Sequence, residues 1–383
     1  MGAQQERRHA LGDDQNDRGA HGARHQAADE ARRFAELSPS RPGVLSRRAT
    51  ASWVWSESHR LSQGMRTPTP NHIMLRSLSL ALAALSAVGA PVESVLRPDC
   101  EHVADFKLPG ARLSDGVSVM CVHPPGEAIS DTIRSAGMWD RELCKLIMHT
   151  GKRHGEPAWF VDVGANIGAG SVCAFNAGLN VISVEPAPWN FRMLDSTRTA
   201  HLGDKLSHRR RTWRALNVAM NYNAGGTMYL RANAGNLGGS SLVRSEDHPD
   251  GAKGWGRNPT HEAQIKVSSL DQAVLPVLPA DGCISAMKID VEGFELFALR
   301  GGTDLFLSKP PCHIFMEWHL TLLRASSGMG DKDKTPEKMA RLLRGLGYET
   351  DRDLTQSNEL VHWSLARPPA YTNCVCHHGA HPK

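Results

Sequence analysis

The stretch Trp159-Phe-Val-Asp-Val-Gly-Ala-Asn-Ile-Gly-Ala-Gly170 decides the fold. It begins with five residues that are apolar and β-favouring except for one acid, Asp162, and it continues into a glycine turn and a segment of helical character. The pattern predicts a strand, a tight loop and a helix N-terminus, an arrangement that binds nucleotide-like ligands. Gly164 and Gly168 lack the Cβ atoms that would hold such a ligand away from the backbone.

The spacing of the glycines indicates which ligand the loop binds. A dinucleotide-binding loop has the order G-x-G-x-x-G, which brings a helix start to a pyrophosphate, whereas the order here is G-x-x-x-G-x-G. Asp162 lies two residues before the first glycine, and its charge repels phosphate but suits a cationic or hydrogen-bond-donating ligand. S-adenosylmethionine (SAM) is such a ligand, because it has ammonium and sulfonium groups and no phosphate.

A second acid follows the next predicted strand. Asn180-Val-Ile-Ser-Val-Glu185 has the pattern of a buried strand that Pro186 closes, and Glu185 lies 21 residues beyond Gly164. In an open parallel sheet the ligand lies outside the carboxyl ends of the strands, where an acid can accept hydrogen bonds from both ribose hydroxyls. Glu185 is therefore predicted to bind the ribose of the cofactor.

Strand and helix patterns continue along the chain. The predicted helices lie at 142–148, 171–177, 188–200, 294–299 and 335–346. Further strands are predicted at 216–220, 264–271, 285–290, 312–319 and 359–366. Residues 225–230 indicate an antiparallel arm, and 236–242 indicate a polar glycine loop, either a plain surface loop or one that folds over a ligand. The segment 131–148 is predicted to pack as a lid or flank.

Charged residues gather where two of the later strands end. Lys288, Asp290 and Glu292 converge on the carboxyl end of the strand 285–290, and charges in an otherwise apolar strand are costly unless they are used or paired. Glu295, on the helix that follows, is interpreted as an exposed residue. The strand 312–319 ends likewise in an acid and a histidine, at positions 317 and 319.

Taken together, these motifs resemble the FkbM family of SAM-dependent methyltransferases. The resemblance covers roughly residues 131–366, and its motifs are Phe160-Val-Asp-Val-Gly-Ala-Asn-Ile-Gly168, Val184-Glu-Pro-Ala-Pro-Trp-Asn190, Lys288-Ile-Asp-Val-Glu-Gly-Phe-Glu295 and the strand containing Glu317. The glycine motif marks the wider methyltransferase class, and the Lys288–Glu295 run is far more specific. The resemblance implies an α/β, Rossmann-like class I methyltransferase fold with a doubly wound, seven-stranded, mostly parallel sheet.

The same resemblance implies a site and a reaction, the methylation of a hydroxyl on a carbohydrate, lipid or polyketide-like acceptor. The predicted cofactor-binding residues are Asp162, Gly164, Asn166, Gly168, Glu185, Pro186, Asn190, Asn217 and Asp290. The acceptor hydroxyl must lose its proton, and the residues predicted to act in catalysis are Asp290, Glu292, His319 and Lys288. Alternatively, the carboxylates hold a divalent cation such as Mg²⁺, with Asp290 as a ligand.

Length and composition favour one such domain with extensions. A chain of 383 residues has room for two average domains or for one α/β domain of about 250 residues with flanking segments. The first segment mixes Arg, acids and small residues, which predicts disorder. A net charge of +4 does not predict nucleic-acid binding. The predicted organisation is a disordered extension at 1–72, an apolar segment at 73–98, an N-terminal flank at 99–156, the methyltransferase domain at 157–368 and a Cys/His-rich tail at 369–383.

Residues 73–90 form an apolar run with a single charge, Arg76. The run is short for a bilayer-spanning helix, which needs about 20 apolar residues, and it resembles the hydrophobic region of a signal peptide. It predicts entry into the secretory pathway, with the run either cleaved or kept as a membrane anchor. Met65 or Met74 as the true start would make the preceding residues a gene-model extension. Organelle targeting, a cytoplasmic location and a buried helix are the alternatives.

Eight cysteines leave the compartment open. Cys100 and Cys121 flank a short segment and would pair in an oxidising lumen. Cys173 and Cys312 lie in predicted core elements and are interpreted as free, small apolar residues. The tail Cys374-Val-Cys376-His-His-Gly-Ala-His381 has the composition of a metal-binding tract, and a solvated terminus is the alternative.

Two other function classes compete with a methyltransferase. A nicotinamide-dependent oxidoreductase would need G-x-G-x-x-G after the first strand, and that motif is missing. A non-catalytic methyltransferase-like module that binds a partner or a glycan would not depend on Asp162 or Glu185. The leading hypothesis is a SAM-dependent O-methyltransferase that acts on a small-molecule, glycan or lipid acceptor, with residues 73–90 as a means of membrane association.

Overall fold

The computed structural model describes residues 100–109, 117–154, 158–203, 211–222, 224–243, 260–325, 334–366 and 376. The predicted extension at 1–72, the apolar run at 73–90 and the Cys/His-rich tail apart from Cys376 lie outside these residues. Within the described ranges, no helix combines the length and the apolar character needed to cross a membrane.

The chain alternates between strands and helices. The strands are β1 (Val103–Lys107), β2 (Val117–Cys121), β3 (Trp159–Val163), β4 (Asn180–Val184), β5 (Trp213–Leu216), β6 (Ala219–Met220), β7 (Thr227–Asn233), β8 (Asn236–Val243), β9 (His261–Ser268), β10 (Ile284–Ile289), β11 (His313–Trp318), β12 (Tyr348–Glu349) and β13 (Asn358–Leu365). The α-helices are α1 (Ala128–Ala136), α2 (Arg141–His154), α3 (Ala169–Asn176), α4 (Pro188–Gly203), α5 (Leu270–Ala273), α6 (Glu295–Arg300), α7 (Thr303–Ser308), α8 (Leu320–Ala325) and α9 (Thr335–Gly345).

Seven of these strands form the central sheet, in the order β12-β13-β11-β10-β3-β4-β5. The five adjacent strands β11, β10, β3, β4 and β5 run parallel to one another. Strand β13 runs antiparallel to both β11 and β12. The prediction of an α/β fold with a mostly parallel sheet is confirmed. Because β3, β4, β10 and β11 run in one direction, the residues that follow them meet at one edge of the sheet.

Side chains of β3 alternate between two cores, as the two-residue period of a strand requires. Trp159, Val161 and Val163 pack with α5 to α9 on one face of the sheet. Phe160 packs with α2, α3 and α4 on the other face. Helices therefore cover both faces, which explains why the parallel strands are largely apolar.

A second sheet, with the strand order β6-β9-β7-β8, is inserted in the sequence between β5 and β10. The predicted strand at 216–220 is wrong in extent, because the chain leaves the central sheet after Leu216 and pairs with β9 from Ala219 onwards. The predicted glycine loop at 236–242 is also wrong, because this segment is β8, which pairs antiparallel with β7. Gly and Ser have low strand propensity, and the pairing with β7 overrides it.

The N-terminal flank packs onto the α3 face of the central sheet. Strands β1 and β2 pair antiparallel, and Ile133 of α1 and Ile147 of α2 are fully buried in the core on that face. Helix α1 begins after Glu127, whose carboxylate accepts hydrogen bonds from two backbone amides, and it ends at Gly137 in the left-handed conformation. The flank thereby brings α1 and α2 to the edge where the parallel strands end.

Within the described ranges, three disulfides connect segments that are distant in sequence. Cys100 pairs with Cys121, as predicted, and further bonds join Cys144 to Cys173 and Cys312 to Cys376. The interpretation of Cys173 and Cys312 as free residues is therefore wrong. Their partners lie 29 and 64 residues away, so no local pattern could reveal them. Cys376 also cannot be a ligand in the predicted metal-binding tract, because its sulfur is in a disulfide.

Replacing both Cys144 and Cys173 with serine is expected to lower the free energy of unfolding by about 3 kcal/mol, because the disulfide closes a long loop in the unfolded chain. Urea denaturation under non-reducing conditions measures the change. Reductant should then destabilise the double variant less than the wild-type protein. An unchanged denaturation midpoint would show that this bond contributes nothing to stability.

Candidate active site

A cavity of about 480 Å³ lies at the edge where β3, β4, β10 and β11 end. The residues that follow these strands, Gly164, Glu185, Asp290 and His319, all line it. Ligands of open parallel sheets bind outside the carboxyl ends of the strands. The strand order thus brings together residues that lie up to 155 positions apart in the sequence.

The glycine loop after β3 crosses directly over the end of β10. Gly164 has a φ of 82°, and a Cβ atom built on it would lie 1.7 Å from the carbonyl oxygen of Asp290. Gly168 has a φ of 99° and precedes the first turn of α3, where a Cβ atom would lie 2.7 Å from Leu194 Cδ1. Both positions therefore require glycine, but only Gly164 lines the cavity.

Gly164→Ala is expected to destabilise the fold more strongly than a substitution that strains only the backbone. A left-handed conformation costs an alanine about 1 to 2 kcal/mol, and the overlap with the Asp290 carbonyl adds to this. Gly178→Ala is the matched control, because Gly178 has a φ of 98° and a Cβ atom placed on it would have no neighbour within 4 Å. Equal losses for the two variants in urea denaturation would contradict the close approach of the loop to β10.

Glu185 sits at the end of β4 with its carboxylate buried. It is 5% exposed, Oε2 accepts a hydrogen bond of 2.8 Å from the Asn166 amide, and Oε1 accepts one of 2.9 Å from the Ala187 amide. Burial raises the pKa of Glu185 to about 7, against the lowering effect of these two bonds. A carboxylate has about four lone-pair sites, so it retains the capacity to accept two hydroxyl groups, which fits the ribose of SAM.

The raised pKa of Glu185 predicts a pH dependence of stability in the ligand-free protein. Between pH 4.5 and about 7 the folded protein keeps a proton that the unfolded chain has released, so the free energy of unfolding should fall as the pH rises through this window. Glu185→Gln removes this titration. The difference between the free energies of unfolding of the wild type and Glu185→Gln, measured at each pH, should therefore fall as the pH rises. A difference that stays constant between pH 4.5 and about 7 would contradict the raised pKa of Glu185.

Asp162 lies beneath the loop, outside the cavity lining. It is fully buried on the α3 face, where Oδ2 accepts a hydrogen bond of 2.6 Å from Ser171 and Oδ1 lies 3.8 Å from Lys288 Nζ. Burial raises its pKa, and the nearby Lys288 ammonium opposes this effect. Its contacts hold the first turn of α3 against β3, so direct contact with the cofactor remains a prediction from the motif.

Lys288 links the two halves of the cavity floor. Its ammonium donates to the carbonyl of Gly164 at 2.8 Å and lies 3.0 Å from Asp290 Oδ2. Burial lowers the pKa of Lys288, but the carboxylates of Asp290 and Asp162 raise it by more than burial lowers it. The net pKa is therefore raised, and the side chain stays charged. Lys288 therefore fixes the glycine loop and Asp290 relative to each other.

The asparagines of the predicted cofactor set occupy three different positions. Asn166 has a φ of 53°, in the left-handed region, and lines the cavity. Its Oδ1 accepts a hydrogen bond from the backbone amide of Ile167. Asn217 donates to the carbonyls of Glu185 and Pro186, which holds the end of β4 in place. Asn190 is 1% exposed and connects α4 to His123 and to the Leu237 carbonyl. Pro186 lines the cavity, whereas Asn190 and Asn217 do not.

Four carboxylates converge where β10 and β11 end. Carboxylate oxygens of Asp290, Glu295 and Glu317 lie within 4.8 Å of one another. The pKa of Glu292 is raised to about 9, first by burial and then by the charges of Asp290, Glu317 and Glu295. The interpretation of Glu295 as an exposed residue is wrong, since it is 1% exposed. Only its place in the Lys288–Glu295 motif signalled a role for it.

His319 lies on the exposed rim of this acidic group. It lines the cavity, and its Nδ1 faces the amide of Leu322 at 3.4 Å, a long contact. His319 therefore stays a candidate for the base beside Asp290 and Glu292.

Two further segments line the cavity and contribute no residue to the predicted site, although a loop that folds over a ligand was one of the two predictions for 236–242. Trp139 and Asp140 stand before α2, and the Asp140 carboxylate accepts the amide of Leu143 to start that helix. Gly238 and Gly239 of β8 also line the cavity, and a Cβ atom on Gly238 would lie 2.7 Å from Asn166 Nδ2. The sequence signal was the glycine pair itself, which allows β8 to approach the loop.

The solved structures to which this chain is similar are distant from it. They include precorrin 8w decarboxylase from Methanobacterium thermoautotrophicum, with 14% identity, coverage of 58% of this chain and 87% of that chain and a TM-score of 0.30. A precorrin-6y methyltransferase from Geobacter metallireducens has 11% identity, coverage of 62% and 91% and a TM-score of 0.30. A SAM-dependent methyltransferase from Agrobacterium tumefaciens has 9% identity, coverage of 69% and 71% and a TM-score of 0.34. TM-scores this low carry no argument about function.

Comparison at the level of sequence gives the family. No curated protein matches the chain significantly. Residues 162–350, however, match the model of the methyltransferase FkbM domain, and this range includes the glycine loop, Glu185 and the acids after β10 and β11. Residues 162–350 are therefore a methyltransferase FkbM domain.

Proposed function

We propose that the protein transfers a methyl group from SAM to a hydroxyl of a carbohydrate, lipid or polyketide-like acceptor, on a doubly wound class I methyltransferase fold. The observation that carries the proposal is the pairing of two kinds of carboxylate in one cavity. Glu185 at the end of β4 is buried and supported by backbone amides. Asp290 at the end of β10 is part of an acidic group around the neighbouring strand ends.

The first half of the cavity fits the cofactor. Glu185 would accept the ribose hydroxyls, and Gly164 would allow the backbone to approach the ligand closely. Bound SAM supplies an electrophilic methyl carbon, because the adjacent sulfonium carries a positive charge. The acids after β10 suit that charge, and no phosphate group has to lie near them.

The second half of the cavity fits the acceptor. Asp290 is partly exposed, with 36% of its side chain accessible, and it faces the cavity, so it can receive the proton of a hydroxyl. Lys288 holds one of its oxygens at 3.0 Å and fixes its orientation. Burial raises the pKa of Glu292 to about 9, so its carboxyl group is protonated at neutral pH and can donate a hydrogen bond. Asp290 is therefore the better base.

We infer that the protein works in an oxidising compartment. Disulfides such as Cys144–Cys173 and Cys312–Cys376 connect core elements, and bonds of this kind persist in secretory compartments and not in the cytosol. This supports the secretory-pathway entry predicted from residues 73–90, which lie outside the described residues. We propose glycans or lipids of that compartment as acceptors, and no nucleic acid.

Incubating the full chain with methyl-labelled SAM and panels of glycans and lipids tests the acceptor class. Label should move to one class of hydroxyl compound and be lost from the product after replacement of Asp290. Transfer to nucleic acid, or to an amine in place of a hydroxyl, would contradict the proposal. Cofactor binding without any transfer to these panels would favour a non-catalytic binding module.

A further inference from the structure

We propose that Asp290, Glu295 and Glu317 bind one divalent cation where β10 and β11 end. Each of the three residues offers a carboxylate oxygen, and the three oxygens lie within 4.8 Å of one another. Oxygens on opposite sides of a Mg²⁺ ion are about 4.2 Å apart, and on opposite sides of Ca²⁺ about 4.8 Å. The group is therefore already close to the spacing that one ion requires.

Glu295 provides a second, independent observation. Its side chain is 1% exposed, and Oε1 accepts hydrogen bonds from the amides of Val291 and Gly293. Its other oxygen, Oε2, is buried and has no hydrogen-bond partner among the residues that the structure describes. A buried carboxylate oxygen without a partner is costly, and a cation between Glu295, Asp290 and Glu317 would satisfy it.

The ligand set selects the kind of ion. All three side chains offer hard carboxylate oxygens and no sulfur or imidazole, which favours Mg²⁺, Mn²⁺ or Ca²⁺ over zinc or copper. The ion also fits the bond pattern of Glu295, because the two amides on Oε1 orient its carboxylate and leave Oε2 as the buried oxygen that lacks a hydrogen bond among the described residues.

Its place in the cavity indicates a use. Asp290 and Glu317 both line the cavity, so an ion held by them would be reachable by a bound hydroxyl and would lower the pKa of that hydroxyl. This use rests on the proposed function, whereas binding of the ion can be measured without it.

Titration of MnCl₂ into the metal-free full chain, without SAM, tests the site by electron paramagnetic resonance and calorimetry. We expect one Mn²⁺ per chain with a Kd of about 10⁻⁶ to 10⁻⁴ M, displaced by Mg²⁺ or Ca²⁺. Glu317→Gln and Glu295→Gln should each weaken binding at least about tenfold. Glu349→Gln, which changes an exposed glutamate on β12, is the matched control and should bind as the wild type does.

Binding that is absent in the wild type, or that survives in both Glu317→Gln and Glu295→Gln, would overturn the proposal. Circular dichroism of each variant identifies any loss of folding, and Glu317→Gln, which leaves the acceptor of the Val291 and Gly293 amides unchanged, then decides the result. SAM binding measured separately in the presence of a chelator distinguishes the two claims. SAM binding without Mn²⁺ binding would overturn only the cation site, and Mn²⁺ binding without SAM binding would overturn only the cofactor assignment.

Discussion

Asp290→Asn is expected to reduce methyl transfer by about 100-fold or more, the usual scale for a lost general base, while SAM affinity remains close to that of the wild type. Asparagine keeps the size and most of the hydrogen bonding of the side chain but cannot take a proton or hold a cation as a carboxylate does. Single-turnover transfer from labelled SAM to an identified acceptor measures the change. Asp281→Asn, at an exposed position before β10, is the matched control and should leave the rate unchanged.

The structure sharpens this prediction. An aspartate at a strand end can serve merely to cap the next helix, and asparagine would then replace it with little loss. Here α6 begins only at Glu295, after Phe294, and the amides of Val291 and Gly293 that precede it donate to Glu295 and not to Asp290. Near-normal transfer by Asp290→Asn would therefore move the base to Glu292 or His319.

Glu185→Ala is expected to weaken SAM binding by about 10- to 100-fold for each ribose hydroxyl bond that is lost, because a hydrogen bond to a charged group contributes about 1.5 to 3 kcal/mol. The same change leaves the amides of Asn166 and Ala187 without their acceptor, so some destabilisation should accompany it. Calorimetric titration of SAM measures the affinity.

Two comparison variants separate affinity from folding. Glu185→Gln keeps one carbonyl acceptor for the amides and should be more stable than Glu185→Ala, yet it should still bind SAM more weakly than the wild type does. Glu349→Ala on β12 changes an exposed glutamate and should leave binding unaltered. Wild-type affinity in both Glu185 variants would remove Glu185 from the ribose site.

The sequence is most informative where local pattern and fold coincide. The apolar run that ends at Gly164 predicts β3 because parallel strands buried on both faces are almost entirely apolar. The second strand and Glu185 follow from the same rule. Since the strands run parallel, the position of each acid directly after a strand is enough to predict Glu185 and Asp290 at one edge of the sheet.

Other features depend on contacts between distant segments. The role of Glu295 is hidden in the sequence because a glutamate in the first turn of a helix is usually solvated, whereas here α6 starts against the end of β11 and buries it. The partner of Cys173 comes from α2, which only tertiary packing brings beside α3. Strand β8 has the composition of a loop, but pairing with β7 orders its Gly and Ser residues as a strand. This pairing cannot be predicted from the sequence of either segment alone.

Calorimetric titration of SAM into the full-length chain, with NAD⁺ as the comparison ligand, tests the central claim that this cavity is a SAM site. One SAM should bind per chain, and NAD⁺ should produce no heat of binding, because the carboxylate of Asp290 in the cavity disfavours a pyrophosphate beside the glycine loop. Binding of NAD⁺ in preference to SAM, or binding of neither ligand to a folded protein, would contradict the account.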